Sequence, residues 1–218
     1  MLVLALDTAT PASTAALVEV TADGLFGVAE SRTVDPRAHG EKLAPEIAAV
    51  LAEAGKRPRD LSAIVAGLGP GPFTGLRVGL ATAASMGQAL GIPVYGVCSL
   101  DALGRAAGPG RVLIATDARR REVYYAVYAD GVREKGPDVA KPAEVEFAAE
   151  RAAGEGALKY GDVFGVPVEE HLLYPPGAAL VAIAADRIRT AAPSESLTPL
   201  YLRRPDAVEP SGRKPVLT

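Results

Sequence analysis

The sequence has few residues of the types that build disulfide frameworks and metal centres. Its 218 residues include one cysteine, Cys98, and two histidines, His39 and His171. A single cysteine excludes a disulfide within this chain and a cysteine-rich zinc site. A His-x-x-x-His pair beginning at His39 would need its second histidine at position 43, which is Leu43. We therefore expect no metal site and no catalytic residues of a metallohydrolase, in a protein compatible with a reducing cytoplasm.

The sequence also lacks a surplus of basic charge and a long apolar run. Lysine and arginine number 23 against 26 acidic residues, a net charge of −3, whereas a dedicated nucleic-acid-binding protein usually has a basic surplus. No stretch of about 20 strongly apolar residues is present, so we expect no membrane span. The first apolar run follows no basic residue and is interrupted at Asp7, which predicts a strand and not a signal peptide.

Sequence motifs of hydrolases are absent as well. We find no His-Glu-x-x-His and no Gly-x-Ser-x-Gly, so a peptidase has no support. Cys98 follows an apolar strand, a position more typical of a packed thiol than of a nucleophile.

The most distinctive stretch that is present is the glycine-rich run GLGPGPFTGLRVG, residues 67–79. A short apolar strand precedes it, and a helix is predicted over 76–90, with Thr74 as a candidate N-cap. A loop between a strand and a helix can direct free N–H groups at a small anion, and it can equally serve close packing alone. The run is neither a P-loop nor Gly-x-Gly-x-x-Gly, and the sequence leaves both roles open.

A first lobe is predicted over residues 1–106. Its opening apolar run ends at Asp7, which can hold a metal–phosphate group or only cap a turn. A helix is predicted from about Ala44 to Gly55, because Pro45 is tolerated only in a first turn. Its apolar stripe includes Leu43, Ile47 and Leu51, and its second face carries small residues. The predicted strands of this lobe cover 2–6, 13–20, 25–31, 63–66 and 92–97.

A second lobe is predicted over residues 107–218. Its first strand, 112–116, ends in Asp117 and is followed by a strand over 122–129, which echoes the opening of the first lobe. The basic turn between them, Arg119 to Arg121, can meet nucleotide or tRNA phosphate or be a solvated loop. Helices are predicted over 142–152 and 178–191, and a strand over 157–160. The tail beyond Pro205 is expected to be mobile.

Several motifs occur together in a fixed order along almost the whole chain. They are Asp7-Thr-Ala-Thr10, His39-Gly-Glu-x-Leu-x-Pro45, Gly69-Pro-Gly-Pro-Phe-Thr-Gly-Leu-Arg-Val-Gly79, Asp117-Ala-Arg119 with Glu122-Val-Tyr124, and Pro199-x-Tyr-Leu-Arg203. This set resembles the TsaB (YeaZ) family of tRNA threonylcarbamoyladenosine biosynthesis. The chain departs from the family at Pro72 and Gly40, where the family usually has serine. Pro72 removes a hydroxyl and an N–H from the loop, which weakens a phosphate-binding role.

The resemblance implies an α/β protein with the actin-like ATPase (ASKHA, sugar kinase and Hsp70) fold, in which two lobes have mixed sheets flanked by helices. It implies a cytoplasmic, non-catalytic scaffold, a degenerate paralogue of TsaD. TsaD carries the metal on a His-x-x-x-His pair and transfers the threonylcarbamoyl group to the adenosine beside the tRNA anticodon. The implied partners are TsaD, TsaE through it, and tRNA only through the complex, with a homodimer when TsaD is absent. No cofactor is implied, and ATP would be held, if at all, at the complex interface.

The resemblance also directs attention to two sets of residues. The residues expected to bind the partner lie on the two helices of the first lobe: His39, Glu41, Ala44, Ala48, Thr74, Arg77, Ala81 and Ala84. A weaker nucleotide-binding set comprises Asp7, Gly69, Gly71 and Asp117. We expect Leu43, Ile47 and Leu51 to face the core.

The alternative is an active ATP-dependent kinase of the same fold, which would need Asp7, the glycine loop and Asp117 to form a working cleft. ATP turnover by the isolated chain, abolished by Asp7→Ala, would favour the kinase.

Overall fold

The first sheet of the protein has five strands in the order β3-β2-β1-β4-β5. The computed structural model describes residues 1–203. Strand β1 pairs antiparallel with β2 and parallel with β4, so the hairpin lies on one side of β1 and the crossover strands on the other. The strands are β1 (Leu2–Asp7), β2 (Ala12–Val20), β3 (Leu25–Val34), β4 (Ala63–Gly67) and β5 (Val94–Val97).

The second sheet repeats this arrangement with four strands in the order β8-β7-β6-β9. Strand β6 pairs antiparallel with β7 and parallel with β9, as β1 does with β2 and β4. The predicted echo of strand and aspartate therefore corresponds to an observed repeat of topology. The strands are β6 (Arg111–Asp117), β7 (Val123–Ala129), β8 (Val132–Ala140) and β9 (Arg151–Ala153).

Helices cover both faces of the first sheet, because its central strands are apolar on both sides. On one face, Leu4 and Leu6 of β1 pack in a cluster with apolar residues of α1 and α2. On the other face, Val3 and Ala5 pack with α6. Helix α3 lies between the sheets, since Ala102 joins the α6 side of the first sheet while its leucines join the core of the second. The longer helices are α1 (His39–Glu53), α2 (Phe73–Leu90), α3 (Ser99–Ala106) and α6 (Gly177–Arg189).

The predicted α/β class with two mixed sheets flanked by helices is confirmed. The division into lobes at residue 106 stays a prediction. The last helix, α6, returns to the first sheet, although it lies late in the chain. The expected mobile tail beyond Pro205 lies outside the described residues. Within residues 1–203, no helix is both long and apolar enough to cross a membrane.

Both helix starts predicted in the first lobe are wrong by several residues. Helix α1 begins at His39, and Pro45 lies inside it on the exposed face. The helix tolerates this proline because the carbonyl group that loses its partner, on Glu41, lies on the solvent side. Helix α2 begins at Phe73 with Pro72 at its N-cap position, and no side-chain hydrogen bond caps it. Thr74 is therefore a first-turn residue and not the cap. The predicted end of α1 is confirmed, because Gly55 adopts φ +63° one residue beyond the C-cap.

Two elements predicted in the second lobe are wrong in type. Residues 142–152 were expected as one helix, but they hold a 3₁₀ turn (Pro142–Glu144) and then β9. Residues 157–160 were expected as a strand, but the chain from Glu155–Lys159 is helix α4, followed by α5 (Gly161–Phe164). The cause is tertiary: Val145 fills the core beside β6, and β9 gains its hydrogen bonds from that strand.

Candidate functional site

A cleft of about 670 Å³ lies where the turns that follow β1 and β6 approach each other. The turn after β1 contributes Thr10, and the turn after β6 contributes Asp117 and Arg119. The remaining wall comes from the start of α1, the start of α2 and the chain near Tyr201. Ligand sites of α/β proteins commonly lie at the carboxyl ends of parallel strands, and this cleft has that position.

Asp7 does not line this cleft. Its side chain is 1% exposed and both carboxylate oxygens accept hydrogen bonds, one from the Ala9 N–H at 2.9 Å and one from the Ser99 hydroxyl at 2.5 Å. Burial raises the pKa of Asp7 to about 6, although these two bonds and the charge of Arg32 oppose the shift. Asp7 is thus an internal acceptor that ties the end of β1 to the start of α3.

The glycine of β4 makes room for this carboxylate. A Cβ on Gly67 would lie 1.9 Å from an oxygen of Asp7 and 2.7 Å from the Ser99 hydroxyl. In the following loop, Gly69 donates its N–H to the same hydroxyl at 3.2 Å. A Cβ on Gly71 would lie 2.2 Å from the carbonyl oxygen of Ala9. These glycines serve close packing, one of the two roles that the sequence left open, and of the two loop residues in the predicted nucleotide set only Gly71 reaches the cleft.

Asp117, at the matching position of the second sheet, reaches the cleft edge. Its side chain is 23% exposed and pairs with the Lys159 ammonium at 3.1 Å. Its backbone N–H donates to Glu155 at 3.0 Å. Burial raises the pKa of Glu155 to about 7, against three backbone hydrogen bonds that lower it. The structure therefore brings Asp117 and Gly71 to the cleft and places Asp7 and Gly69 behind it.

His39 lies at the floor of the cleft under the first turn of α2. The histidine is 7% exposed, its Nδ1 lies 2.9 Å from the Ser13 hydroxyl, and a Cβ on Gly75 would approach its ring to 3.2 Å. Burial lowers the pKa of His39, the nearby Asp35 opposes this, and the charge of Arg119 lowers it further. His39 is therefore a buried neutral side chain and does not share the exposed face of α1.

The remaining residues predicted to bind a partner are exposed. On α1, Glu41, Ala44 and Ala48 face solvent, while Leu43, Ile47 and Leu51 are buried as expected. On α2 the exposed stripe consists of Thr74, Arg77, Ala81 and Ala84. We call these seven exposed residues the helix face. Helices α1 and α2 pack against each other on the same side of the first sheet. The helix face consists mostly of small side chains.

The rim of the cleft holds an aromatic pair that the sequence analysis did not single out as a site. Phe73 and Tyr201 stack with ring centroids 5.2 Å apart and remain 42% and 41% exposed. The Arg77 guanidinium lies 3.6 Å from the centroid of Phe73, and its Nε donates to the Tyr201 hydroxyl at 3.4 Å. Tyr201 belongs to the motif Pro199-x-Tyr-Leu-Arg203, and this motif was the feature of the sequence that could have indicated the aromatic pair.

Arg203 fixes the basic turn after β6. It donates to the carbonyl oxygen of Ala118 at 2.9 Å and pairs with Glu122. Residues 119–121 all have φ between +50° and +61°, so this turn exposes three successive arginines from left-handed backbone. Further back in the same segment, Leu200 donates its N–H to the Leu68 carbonyl oxygen at 2.8 Å, just after β4. The chain after α6 thus connects the first sheet to the turn after β6 in the second sheet.

Neither a metal-binding cluster nor a reactive thiol is present among the described residues. Among residues 1–203, no group of three or more His, Cys, Asp or Glu side chains is placed to hold a metal ion. Cys98 is buried, and burial raises the pKa of its thiol to about 11, against which the charge of Arg133 acts only weakly. This thiol is protonated at neutral pH, which fits the predicted packing role.

Comparison with known proteins gives one consistent set of relatives. The family model described as "TsaD: tRNA N6-adenosine threonylcarbamoyltransferase" matches residues 31–203. An uncharacterized protein of Mycobacterium leprae is 50% identical over 206 residues, which cover 94% of this chain and 56% of that protein. The tRNA threonylcarbamoyladenosine biosynthesis protein TsaB of Escherichia coli is 36% identical over 133 residues, 59% of this chain and 55% of its own. The chain thus spans little more than half the length of the Mycobacterium leprae protein, and the matched segment covers a similar share of the Escherichia coli protein.

A solved structure supports the same grouping. The crystal structure of a Pseudomonas aeruginosa protein "with similarity to peptidase YEAZ" superposes with a TM-score of 0.77 and 30% identity. The superposition covers 93% of this chain and 99% of that one, so the two proteins share the overall fold.

Proposed function

Because this chain belongs to the TsaB (YeaZ) family, with the actin-like fold of that family, we propose that it acts in tRNA threonylcarbamoyladenosine biosynthesis as a non-catalytic subunit that binds TsaD. The chain would help to assemble the transferase that modifies the adenosine beside the anticodon, and the reacting groups would come from TsaD. Contact with TsaE through TsaD, self-association when TsaD is absent, ATP at the complex interface and a cytoplasmic location stay predictions.

The observation that carries the proposal is the helix face. Small side chains at Ala44 and Ala48 on α1, and at Ala81 and Ala84 on α2, are exposed, although the opposite sides of both helices are fully packed. Small residues let the backbone of another helix approach closely, which increases the contact area gained in docking. Arg77 and Glu41 add polar groups at the margin of such an interface.

The non-catalytic part of the proposal rests on the surroundings of His39 and Leu43. His39 is engaged with Ser13 beneath α2, and Leu43, four residues on, is 2% exposed in the apolar core. A metal held by side chains at these positions would need a second ligand where the core has a leucine. The alternative ATP-dependent kinase would need Asp7 to face a nucleotide, but its carboxylate is directed at Ser99 and Ala9.

Affinity capture of TsaD from the same source, co-expressed with this chain, tests the docking surface. We expect Ala48→Arg to weaken TsaD capture by about tenfold or more, because a long cation cannot be accommodated where backbones approach closely. Ala49→Arg is the matched control: Ala49 is also exposed, but it lies about 100° further round the helix. Full TsaD capture by Ala48→Arg would refute the assignment of the helix face.

A further inference from the structure

We propose that the cleft binds a short segment of single-stranded RNA, with arginines on its two walls contacting phosphodiesters and the Phe73–Tyr201 pair stacking against an unpaired base. This inference deepens the proposed function, since RNA is the substrate of the modification. It concerns the cleft, which borders the helix face at Thr74 and Arg77. It assigns the chain a direct contact with RNA in place of contact only through TsaD.

The first argument is the placement of cationic side chains. Arg37 lies in the loop before α1, and Arg119 lies in the turn after β6, so the cleft has a guanidinium on each of two walls from different sheets. Within residues 1–203, neither arginine forms an ion pair with a carboxylate. Exposed guanidinium groups that are not neutralised by carboxylates favour phosphate as a ligand, because their planar donor array matches phosphate oxygens.

The second argument is the aromatic pair at the rim of the same cleft. Tyr201 keeps 41% of its surface exposed, and Phe73 keeps 42%, although both rings lie beside the cleft and touch each other. Arg77 fixes this pair through its contacts with both rings. A positively charged groove next to an ordered aromatic surface is the combination by which proteins hold unpaired bases of single strands.

The third argument separates a phosphodiester from a nucleoside triphosphate. A triphosphate needs Mg²⁺, which proteins hold with one or two carboxylates besides the phosphates. Of the described residues that line the cleft, only Asp117 carries a carboxylate, and the Asp7 carboxylate is buried against Ser99. A phosphodiester carries a single charge and needs only the arginines. The chemistry of the cleft therefore favours RNA over a magnesium nucleotide.

Fluorescence anisotropy with a labelled single-stranded RNA of about 12 nucleotides tests the proposal on the full chain. We expect saturable binding that weakens as salt is raised and that is stronger than binding to a duplex of the same sequence. Arg119→Asn should weaken binding several-fold and reduce the slope of log affinity against log salt by about 0.7. Asparagine is chosen because it tolerates the left-handed backbone at this position. Tyr201→Leu should weaken binding by about tenfold with no change in that slope.

Arg59→Gln is the matched control, since this exposed arginine precedes β4 at the opposite end of the strands. Arg37→Gln provides a second cleft variant should Arg119→Asn fold poorly. Several results would overturn the proposal: no RNA binding at low salt, equal losses from Arg59→Gln and Arg119→Asn, or preferential binding of free ATP with Mg²⁺ over RNA. A loss of TsaD capture in Arg119→Asn would also overturn it, because the cleft would then belong to a protein interface.

The capture experiment keeps this inference separate from the proposed function. If the chain captures TsaD but binds no RNA, the RNA site is refuted and the accessory role stands. If it binds RNA through Arg119 and Tyr201 but never captures TsaD, the scaffold role fails while the cleft assignment stands.

Discussion

Strands β1 and β6 both end in an aspartate and occupy the same position in their sheets, but the two aspartates have different surroundings. Asp7 and Asp117 each end a strand that has an antiparallel neighbour on one side and a parallel one on the other. Asp7 is 1% exposed and fixed by hydrogen bonds inside the first sheet. The side chain of Asp117 is 23% exposed and pairs with Lys159 at the cleft. The topology was duplicated, but the environment of the carboxylate was not.

This difference shows that position in a fold does not determine chemistry. A metal–nucleotide cleft between two such turns would need both carboxylates to face the same ligand. Here one carboxylate holds α3 to β1 and the other holds α4 to β6. The repeat is therefore one of strand topology, and the side chains that line the cleft between the two turns include arginines and aromatic rings.

The largest expected effect concerns the packing over Asp7. Gly67→Ala should lower the free energy of unfolding by about 3 kcal/mol, because the new methyl would overlap the Asp7 carboxylate. The control is Gly27→Ala in β3, where a Cβ would meet nothing within 4 Å. Urea denaturation measures both. Equal and small losses would mean that Asp7 is not confined as described.

The charge of Asp7 gives the second prediction. Its folded-state pKa of about 6 lies above the ordinary 3.8, so the folded protein holds the proton more tightly than the unfolded chain. This stabilisation is complete below about pH 4 and is lost as pH rises through 6. The difference in unfolding free energy between wild type and Asp7→Asn should therefore change by about 2 to 3 kcal/mol between pH 4 and pH 7. The pKa of Glu155 is also raised, but Glu155 is present in both proteins, so its contribution cancels in the difference. A difference that does not change with pH would contradict the raised pKa of Asp7.

Thr8, the residue after Asp7, gives a smaller effect. Its hydroxyl donates to the Gly75 carbonyl oxygen at 2.8 Å and accepts from the Gly79 N–H at 3.1 Å, so it joins β1 to α2. Thr8→Val keeps the shape of the side chain but removes both hydrogen bonds to α2. We expect it to lower the free energy of unfolding, measured with denaturant, by about 1 to 2 kcal/mol. The residue after Asp117 is Ala118, which offers no such side-chain bond. If Thr8→Val caused no loss of stability, this difference between the turns after β1 and β6 would not hold.

The smallest effect is expected at the other turn. Lys159→Ala removes the partner of Asp117, but the lysine side chain is 51% exposed and water screens the pair. We expect a loss of about 0.5 kcal/mol or less in urea unfolding. A loss as large as that of Thr8→Val would show that the second turn is as tightly built as the first.

The sequence predicted the central strands and the buried faces of the helices because their apolar residues repeat with the period of the element. The buried positions of α1 follow directly from that period. Strand β8 was missed because four of its nine residues are charged, glycine and proline interrupt it, and most of its residues are exposed at a sheet edge. Strand β9 was read as a helix because only its pairing with β6 makes it a strand.

The site could be predicted only in part, because its distinguishing contacts join distant parts of the chain. The hydrogen bond that holds the Asp7 carboxylate comes from Ser99, 92 residues away, and no local sequence pattern predicts it. The stacking of Phe73 on Tyr201 is equally remote in sequence, although both rings lie in motifs that were noticed. Local patterns indicated which residues matter, and the tertiary structure decided whether each faces a ligand or the core.

Reconstituted threonylcarbamoyl transfer to tRNA, with TsaD and its remaining partners from the same source, tests the accessory role most directly. We predict that the reaction needs this chain, that Asp7→Asn combined with Asp117→Asn supports it as wild type does, and that Ala48→Arg fails in parallel with its loss of TsaD capture. If the double aspartate variant captured TsaD normally but abolished the reaction, the chain would contribute catalytic groups and the account would be wrong.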